Sequence, residues 1–250
     1  MVFKSIQSII SFLTIIPGPK SSSSIGLDDV ANTMHFFPVA GLIIGCIIGG
    51  LAYGISLYLE PILTGFIVTT ALVLVTGLHH TDALADFADG LMTKGEKATK
   101  QSAMHDPAVG SAGVVAIVLY LIGMVIAVSS FHQGIKLLSS IIAAEVAAKF
   151  VMVMQAYMGI SAWNGLSSPF TSSMKDKRKI LTAAIISVLI ILFTGTGYFG
   201  IISLGISLVI AAVVQHYSNK SFGGISGDVM GASNEITRLS SLIVLSTMMS

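Results

Sequence analysis

Apolar stretches long enough to cross a membrane recur along this chain, and few charged residues interrupt them. Only 10% of the 250 residues are charged and 54% are hydrophobic, with a mean hydropathy of +0.89. An ordinary soluble domain carries roughly 25% charged residues. Disorder requires low hydrophobicity and high net charge, and this chain has neither. The composition therefore predicts a polytopic integral membrane protein.

The apolar stretches predict an all-α helical bundle of about six to seven spans, because one span needs about 20 mainly apolar residues. The clear candidates are residues 36–59, 61–78, 112–131 and 137–157. Residues 180–217 are too many for one span, and glycines at 195, 197 and 200 predict a turn between two helices. A last stretch from Ile236 to Ser250 is short for a full span. We interpret residues 1–250 as a single integral membrane domain.

The first 16 residues are apolar but include Lys4, Gln7 and several hydroxyl side chains. They lack the small-residue cleavage site of a signal peptide, so we expect a helix at the membrane interface. Residues Ser21–Ser24 predict a short flexible linker. The single cysteine, Cys46, lies in an apolar run, and one cysteine excludes an internal disulfide.

The basic residues predict how the chain is oriented in the membrane. If the spans alternate, ten basic residues lie on one side, and Lys136 alone lies on the other. The ten are Lys4, Lys20, Lys94, Lys97, Lys100, Lys175, Lys177, Arg178, Lys179 and Lys220. The positive-inside rule places their side in the cytoplasm of a cell membrane. The net charge of +1 argues against a nucleic-acid partner, which would need a basic face.

Three acidic residues follow the second predicted span at helical spacing. Spacings of four and three place Asp82, Asp86 and Asp89 on one helix face, where their like charges repel. A cation would remove this repulsion, and oxygen ligands without cysteine favour Mg²⁺ or Mn²⁺ over zinc. Because Mg²⁺ binds one or two carboxylates plus substrate phosphates, the cluster indicates a phosphate-bearing substrate. The alternative is an acidic helix end exposed to water.

A glycine-rich segment, FGGISGDVMGA at residues 222–232, is the second candidate site. Glycines let a backbone approach a ligand closely and point N–H groups at phosphate oxygens. The candidate substrate-binding residues here are Gly223, Gly224, Ser226 and Gly227. Asp228 is a candidate metal ligand beside the first cluster. The segment lacks the Gly-Lys-Ser/Thr ending of a P-loop, and a flexible turn between helices is the alternative.

Two other polar features lie outside these segments. Asp106, in the segment MHDPAVG at residues 104–110, is a candidate substrate-binding residue, and an Asp-Pro turn explains it about as well. Glu145 and Lys149 lie four residues apart inside the fourth predicted span. We expect these two side chains to neutralise each other in the bundle.

These motifs together resemble the cobalamin synthase family, also called adenosylcobinamide-GDP ribazoletransferases. The family motif G-x-x-H-x-D-x-x-x-D-x-x-D-G is similar to residues 77–90, and G-G-[IL]-[ST]-G-D-x-x-G-A is similar to residues 223–232. Two shorter motifs, F-P-x-x-G-x-x-x-G and M-x-D-x-x-x-G, match residues 37–45 and 104–110. The chain departs from the family pattern at Ala83, Pro107 and Arg238.

The resemblance implies a late step of cobalamin biosynthesis. The adenosylcobinamide-phosphate group of adenosylcobinamide-GDP would pass to α-ribazole or its 5′-phosphate, releasing GMP. The implied cofactor is Mg²⁺, and its implied ligands are Asp82, Asp86, Asp89 and Asp228. The implied catalytic residues are His80, Asp82 and Asp89, with His80 or Asp89 as the candidate general base. A straight helix would place His79, rather than His80, on the face of Asp82 and Asp86. The lipid bilayer is a further implied partner, and the sequence is compatible with a homo-oligomer.

Two other functions use similar residues. A CDP-alcohol phosphatidyltransferase also clusters aspartates on membrane helices, but Asp89-Gly90 is not followed by Ala-Arg at the spacing of that class. A transporter or cation channel predicts acidic residues at the membrane midplane, and only Glu145 is placed there by the sequence.

Overall fold

The computed structural model describes residues 2–18, 26–132 and 134–249, and these residues form α-helices joined by short loops. The helices are α1 (Val2–Leu13), α2 (Leu27–Asn32), α3 (Phe37–Ser56), α4 (Pro61–Val75), α5 (His79–Met92), α6 (Lys97–Met104), α7 (Ser111–Ser129), α8 (Gly134–Met158), α9 (Ser167–Ser173), α10 (Lys177–Phe193), α11 (Gly197–Phe222) and α12 (Gly227–Met249). A 3₁₀ turn, Met34–Phe36, precedes α3. The described residues contain no strand, which confirms the all-α prediction. Lys20, the linker Ser21–Ser24 and Ser250 lie outside the described residues.

Among the residues that the structure describes, four helices are long and apolar enough to cross a membrane. They are α3 with the 3₁₀ turn before it, α7, α8 and α11. The number becomes five if α4 and α5 count as one broken span, although the two helices are bent by 90°. This number is lower than the six to seven spans expected, because α10 has only 17 residues and α12 carries Glu235 and Arg238 in its first half. We place α5 outside the spanning segments, since it turns away from α4 and carries three aspartates.

Helix α8 lies at the centre of the bundle and is buried along most of its length. Helices α3, α10, α11 and α12 pack around it. The approach of α3 is close because Gly41 and Gly45 face α8, where an added Cβ would lie 2.7 Å from the backbone. Small residues at such positions let two membrane helices come into van der Waals contact. Helix α12 packs against α8 and also against α5.

The N-terminal segment forms the expected helix, α1, and packs on the bundle through Ile9 and Leu13. Its outer face carries the exposed Phe3. The chain after α1 is tied to α4, because the Ile15 N–H donates to the Val75 carbonyl at 2.9 Å. Placement of α1 at the membrane interface stays a prediction.

Candidate active site

A sharp turn between α4 and α5 sets the position of the acidic helix. Gly77 and Leu78 both have positive φ angles, 70° and 65°, in the left-handed region. Only glycine adopts this region without penalty, so Leu78 is held there by its surroundings. The turn lets α5 begin at His79, where it lines one cavity together with the start of α12 and the end of α1.

Two cavities share Asp82 and Asp228 as lining residues. The first, the aromatic cavity, has a volume of about 460 Å³, and its walls include Phe12, Phe37 and Phe170. The second, the acidic cavity, has a volume of about 390 Å³. Its lining residues are Asp82, Asp86, Met104, His105, Asp106, Pro107, Val109 and Asp228. Asp82 and Asp228 line both cavities, although 146 positions separate them in the sequence.

Asp228 is positioned by the N-terminus of α12. The Ser226 hydroxyl donates to Asp228 Oδ2 at 3.2 Å and accepts from the Val229 N–H at 3.2 Å. Ser226 thus caps α12 and orients Asp228. Burial raises the pKa of the Asp228 carboxyl above its usual range. A cation beside this carboxylate would favour its charged form.

The glycines of the glycine-rich segment have two different roles: one lines a cavity, and two shape the loop before α12. Gly227 lines the aromatic cavity beside Asp228. Gly223 ends α11 with a φ of 89°, and an added Cβ on Gly224 would collide with the backbone of Ile160 and Ala162. The loop is paired there, since the Ala162 N–H donates to the Ile225 carbonyl at 2.8 Å. Gly223 and Gly224 are explained by this packing, and their predicted contact with substrate stays a prediction.

Asp89, unlike the other two acids of its helix, is bound by backbone N–H groups and does not line the acidic cavity. Its carboxylate accepts from the N–H groups of Gly110 and Gly113, at 2.7 and 2.8 Å. These groups lie at the N-terminus of α7, whose first N–H groups have no partner within the helix. Asp89 therefore caps α7 and is not among the residues that line the acidic cavity. Asp106 does line that cavity, and its Oδ1 accepts from the Ala108 N–H at 2.9 Å, as in an Asp-Pro turn.

The acidic cavity offers hard oxygen ligands for a metal ion. Burial, and then the charges of Asp82, Asp228 and Asp89, raise the pKa of the Asp86 carboxyl to about 6. This repulsion is what a divalent cation would relieve. As arranged among the described residues, no three His, Cys, Asp or Glu side chains enclose a metal position. An incomplete set of protein ligands still fits Mg²⁺, because this ion binds one or two carboxylates and completes its coordination shell with water and phosphate oxygens.

The Asp86→Asn variant is expected to be more stable than the native protein at neutral pH without divalent metal. Because the folded state raises the pKa of Asp86 from 3.8 to about 6, native stability falls as pH rises between these two values. Asn does not ionise, so the variant does not lose this stability. Its free energy of unfolding should equal that of the native protein at pH 4 and exceed it by the full amount above pH 7. The gain is on the order of 1 kcal/mol, because the Asp86 side chain is only partly buried and water screens its charge. Thermal unfolding in EDTA at the two pH values measures it, and equal melting temperatures at neutral pH would contradict it.

The comparison with known proteins agrees with the motifs. The family model described as cobalamin-5-phosphate synthase matches residues 5–246, from α1 through α12. The chain belongs to this family. A relative from Methanococcoides burtonii is 30% identical over 96% of this chain and 90% of its own length. One from Pyrococcus abyssi is 31% identical over 96% of this chain and 97% of its own length, and both are named adenosylcobinamide-GDP ribazoletransferase. Among solved structures, none matches this chain.

Behind the cavities, this family member buries a network of four charged side chains. Arg238 of α12 bonds to Glu145 of α8 and to Glu235 of its own helix, and it donates to the Tyr120 hydroxyl at 3.0 Å. Lys149 lies 3.8 Å from Glu145. The expected pairing of Glu145 with Lys149 is therefore confirmed, but Arg238 is the closer partner of Glu145. With two acids and two bases, the network is neutral when all four are charged.

Glu235 is one of the residues that sequence reasoning missed. It is fully buried and lies three residues before Arg238, a spacing that places both on one face of α12. That spacing was the available signal. Arg238, which departs from the family pattern, is paired by Glu235 as well as by Glu145, so the departure leaves no uncompensated charge.

Both candidate histidines line the aromatic cavity. Helix α5 extends back to His79, which is exposed, whereas His80 is 8% exposed and faces α12. The Asn234 side-chain Nδ2 lies 3.4 Å from His80 Nδ1. Gly231 permits this close approach, since an added Cβ would collide with Ala83. His80 is thus connected to the buried network, while His79 is not.

Proposed function

We propose that this protein transfers the adenosylcobinamide-phosphate group from adenosylcobinamide-GDP to α-ribazole or its 5′-phosphate and releases GMP. Family membership and the names of the relatives support the substrates. The observation that carries the proposal is the position of Asp82 and Asp228, which line both cavities. A transfer between two bound substrates requires such a shared point, where the reacting atoms are held together.

In this mechanism, the ribazole hydroxyl oxygen bonds to the phosphorus on the cobinamide side of the pyrophosphate. The bond from that phosphorus to the bridging oxygen breaks, and GMP leaves with the electron pair. Bound Mg²⁺ would neutralise the pyrophosphate oxygens and the leaving phosphate. Asp82, Asp86 and Asp228 would hold the ion, and the N-terminus of α12 adds a partial positive charge beside them. Both oxygens of Asp89 already accept backbone hydrogen bonds, which favours Asp82, exposed at the junction, as the acceptor of the hydroxyl proton.

The experiment that tests the function uses the purified protein in liposomes. Adenosylcobinamide-GDP and α-ribazole are added with Mg²⁺, and GMP and the cobalamin product are quantified together. We expect equal amounts of the two products and no GMP when α-ribazole is omitted. GMP release without α-ribazole would indicate a hydrolase, and no release under any condition would overturn the proposal.

The active site is proposed to face the cytoplasm. With α4 and α10 crossing the membrane as well as the four longer helices, the ten-to-one distribution of basic residues supports this orientation. In a Cys46→Ser background, we expect Ser102→Cys on the exposed side of α6 to react with an impermeant thiol reagent only from the cytoplasmic side. His132→Cys, in the loop after α7, is the matched control and should react only from outside. Labelling of Ser102→Cys in intact cells would contradict this orientation.

A further inference from the structure

The two cavities on either side of Asp82 and Asp228 differ in chemistry. In the aromatic cavity, rings from three separate elements come together. The ring centroids of Phe12 and Phe170 lie 5.6 Å apart, and those of Phe37 and Phe170 lie 6.1 Å apart. Met34, Met152 and Met230 line the same space. The acidic cavity instead presents carboxylates and His105.

We propose that the aromatic cavity holds the base of the ribazole acceptor, with its ribose directed toward Asp82 and Asp228. This inference rests on the proposed function. The base is an apolar, planar benzimidazole whose glycosylated ring carries no N–H donor, so aromatic and thioether walls suit it. Guanine carries an amide N–H, an amino group and a carbonyl that all need partners, and the Phe and Met walls offer none. The polar groups of this cavity, which include His80, Asp82 and Asp228, are then left for the ribose and for the unsubstituted ring nitrogen of the benzimidazole. A volume of about 460 Å³ lies in the range of cavities that hold small molecules.

This placement gives α1 a part in substrate binding. Ser11 and Phe12, near its end, form part of the cavity wall, and Phe12 is only partly buried. The pyrophosphate of the donor would then reach the same two carboxylates from the acidic cavity. The acceptor hydroxyl and the phosphorus would meet at the boundary between the cavities, where Asp82 and Asp228 lie.

The test measures the KM of each substrate separately in a Phe12→Ala variant. We expect the KM for α-ribazole to rise roughly tenfold, the loss of one aromatic contact, with the KM for adenosylcobinamide-GDP unchanged. Phe3→Ala, on the exposed face of the same helix, is the control and should change neither value. Phe12→Leu, which keeps an apolar side chain, should give an intermediate KM and serves if the alanine variant does not fold.

An equal rise in both KM values, or a rise for the donor alone, would overturn the assignment. So would an unchanged KM for α-ribazole in both Phe12 variants. If the native protein transfers the group but these variants behave as native, only this inference fails. If the native protein forms no product, the proposed function itself fails.

A second inference comes from the hydrogen bonds of Asn234. Its Oδ1 accepts from Lys149 Nζ at 2.6 Å, and its Nδ2 donates to Glu235 Oε1 at 3.0 Å. The opposite amide orientation would set NH₂ against an ammonium group and oxygen against a carboxylate, so the orientation is fixed by its neighbours. The same Nδ2 faces His80 Nδ1 at 3.4 Å, and it can only donate.

We infer that Asn234, oriented by Lys149, is a positioning residue that keeps the hydrogen of His80 on Nε2. The nearer partner of Nδ1 is the Asn234 Nδ2 donor at 3.4 Å, and Glu235 Oε1 is farther away at 3.8 Å, so Nδ1 accepts from Asn234 and the ring hydrogen lies on Nε2. His80 would then offer an N–H donor to a ligand in the aromatic cavity, which it lines. In this tautomer His80 donates a hydrogen bond to substrate and does not take the hydroxyl proton. The sequence-based choice of His80 as a general base would therefore be replaced by a donor role.

Two replacements of His80 distinguish a hydrogen-bond donor from a general base. The amide nitrogen of Gln reaches the position of His Nε2, whereas that of Asn reaches only the position of Nδ1. We expect His80→Gln to retain activity within roughly tenfold and His80→Asn to lose more. Loss of a general base would lower kcat by about 10²–10⁴-fold in both variants, and that result would overturn the donor role.

Histidine ¹⁵N NMR gives a readout that a merely structural role would not change. The His80 signal, assigned by its loss in His80→Gln, should show the hydrogen on Nε2. In Asn234→Ala we expect a mixture of the two tautomers. A hydrogen on Nδ1 in the native protein, or an unchanged tautomer in Asn234→Ala, would overturn the positioning role.

Discussion

Replacing Asp82 or Asp228 with Asn is expected to lower the rate of transfer by roughly 10³-fold, comparable to removing a group that stabilises charge in phosphoryl transfer. Both carboxylates line the two cavities, and Asn keeps their size while removing the charge that would hold Mg²⁺. The fold should persist, because Asp82 is exposed and the hydroxyl of Ser226 can still cap α12. GMP release at saturating substrate, with a melting temperature for each variant, measures both expectations.

The control for these variants is Asp29→Asn, an exposed acid on α2 that lines neither cavity. It should release GMP at the native rate. Native activity in either Asp82→Asn or Asp228→Asn would remove that residue from the proposed metal site. Excess Mg²⁺ should restore part of the activity of a single variant, because one carboxylate of the pair remains.

Removing Arg238 is expected to destabilise the protein by about 3–5 kcal/mol, the effect of leaving a buried charge without its partner. Arg238→Met leaves Glu145 and Glu235 with only Lys149 to balance them. Arg178→Met, on the exposed start of α10, should change stability by less than about 0.5 kcal/mol. Thermal unfolding in one detergent compares the two variants.

The double variant Arg238→Met with Glu145→Gln tests the cause of that loss. It leaves one acid and one base, Glu235 and Lys149, so the network is neutral again. We expect it to be more stable than Arg238→Met alone, because the unpaired carboxylate is gone. If the double variant loses the sum of the stability lost in Arg238→Met and in Glu145→Gln, charge balance does not explain the effect of Arg238→Met.

The sequence was sufficient for the features that depend on local pattern. Apolar runs predicted the helical membrane fold, and the spacing of Asp82 and Asp86 predicted that both would reach one cavity, as they do. The number of spans was less predictable. The bend at Gly77 and Leu78 turns α5 out of the line of α4, and nothing in the composition of this segment marks a 90° turn.

The partners of individual side chains depend on distant parts of the chain, and the spacing of residues does not show them. Asp89 has the same helical spacing as the other acids, but it finds the N-terminus of α7 more than 20 residues away. Gly224 belongs to a segment with the composition of a phosphate-binding loop, but the backbone of Ile160 and Ala162 occupies the space beside it. Arg238, which pairs with Glu235 on its own helix, meets Glu145 only because α12 packs on α8.

The most direct test of the account is to locate the metal ion in the chain. Fe²⁺ takes the place of Mg²⁺ in oxygen-ligand sites, and with ascorbate and peroxide it cleaves the backbone beside the site. We predict cleavage in two segments, near residues 82–86 and near residue 228, with both cuts suppressed by Mg²⁺ and both lost in Asp82→Asn. Cleavage in only one of these segments, or beside Glu145 and Glu235, would contradict a metal site shared by the two cavities.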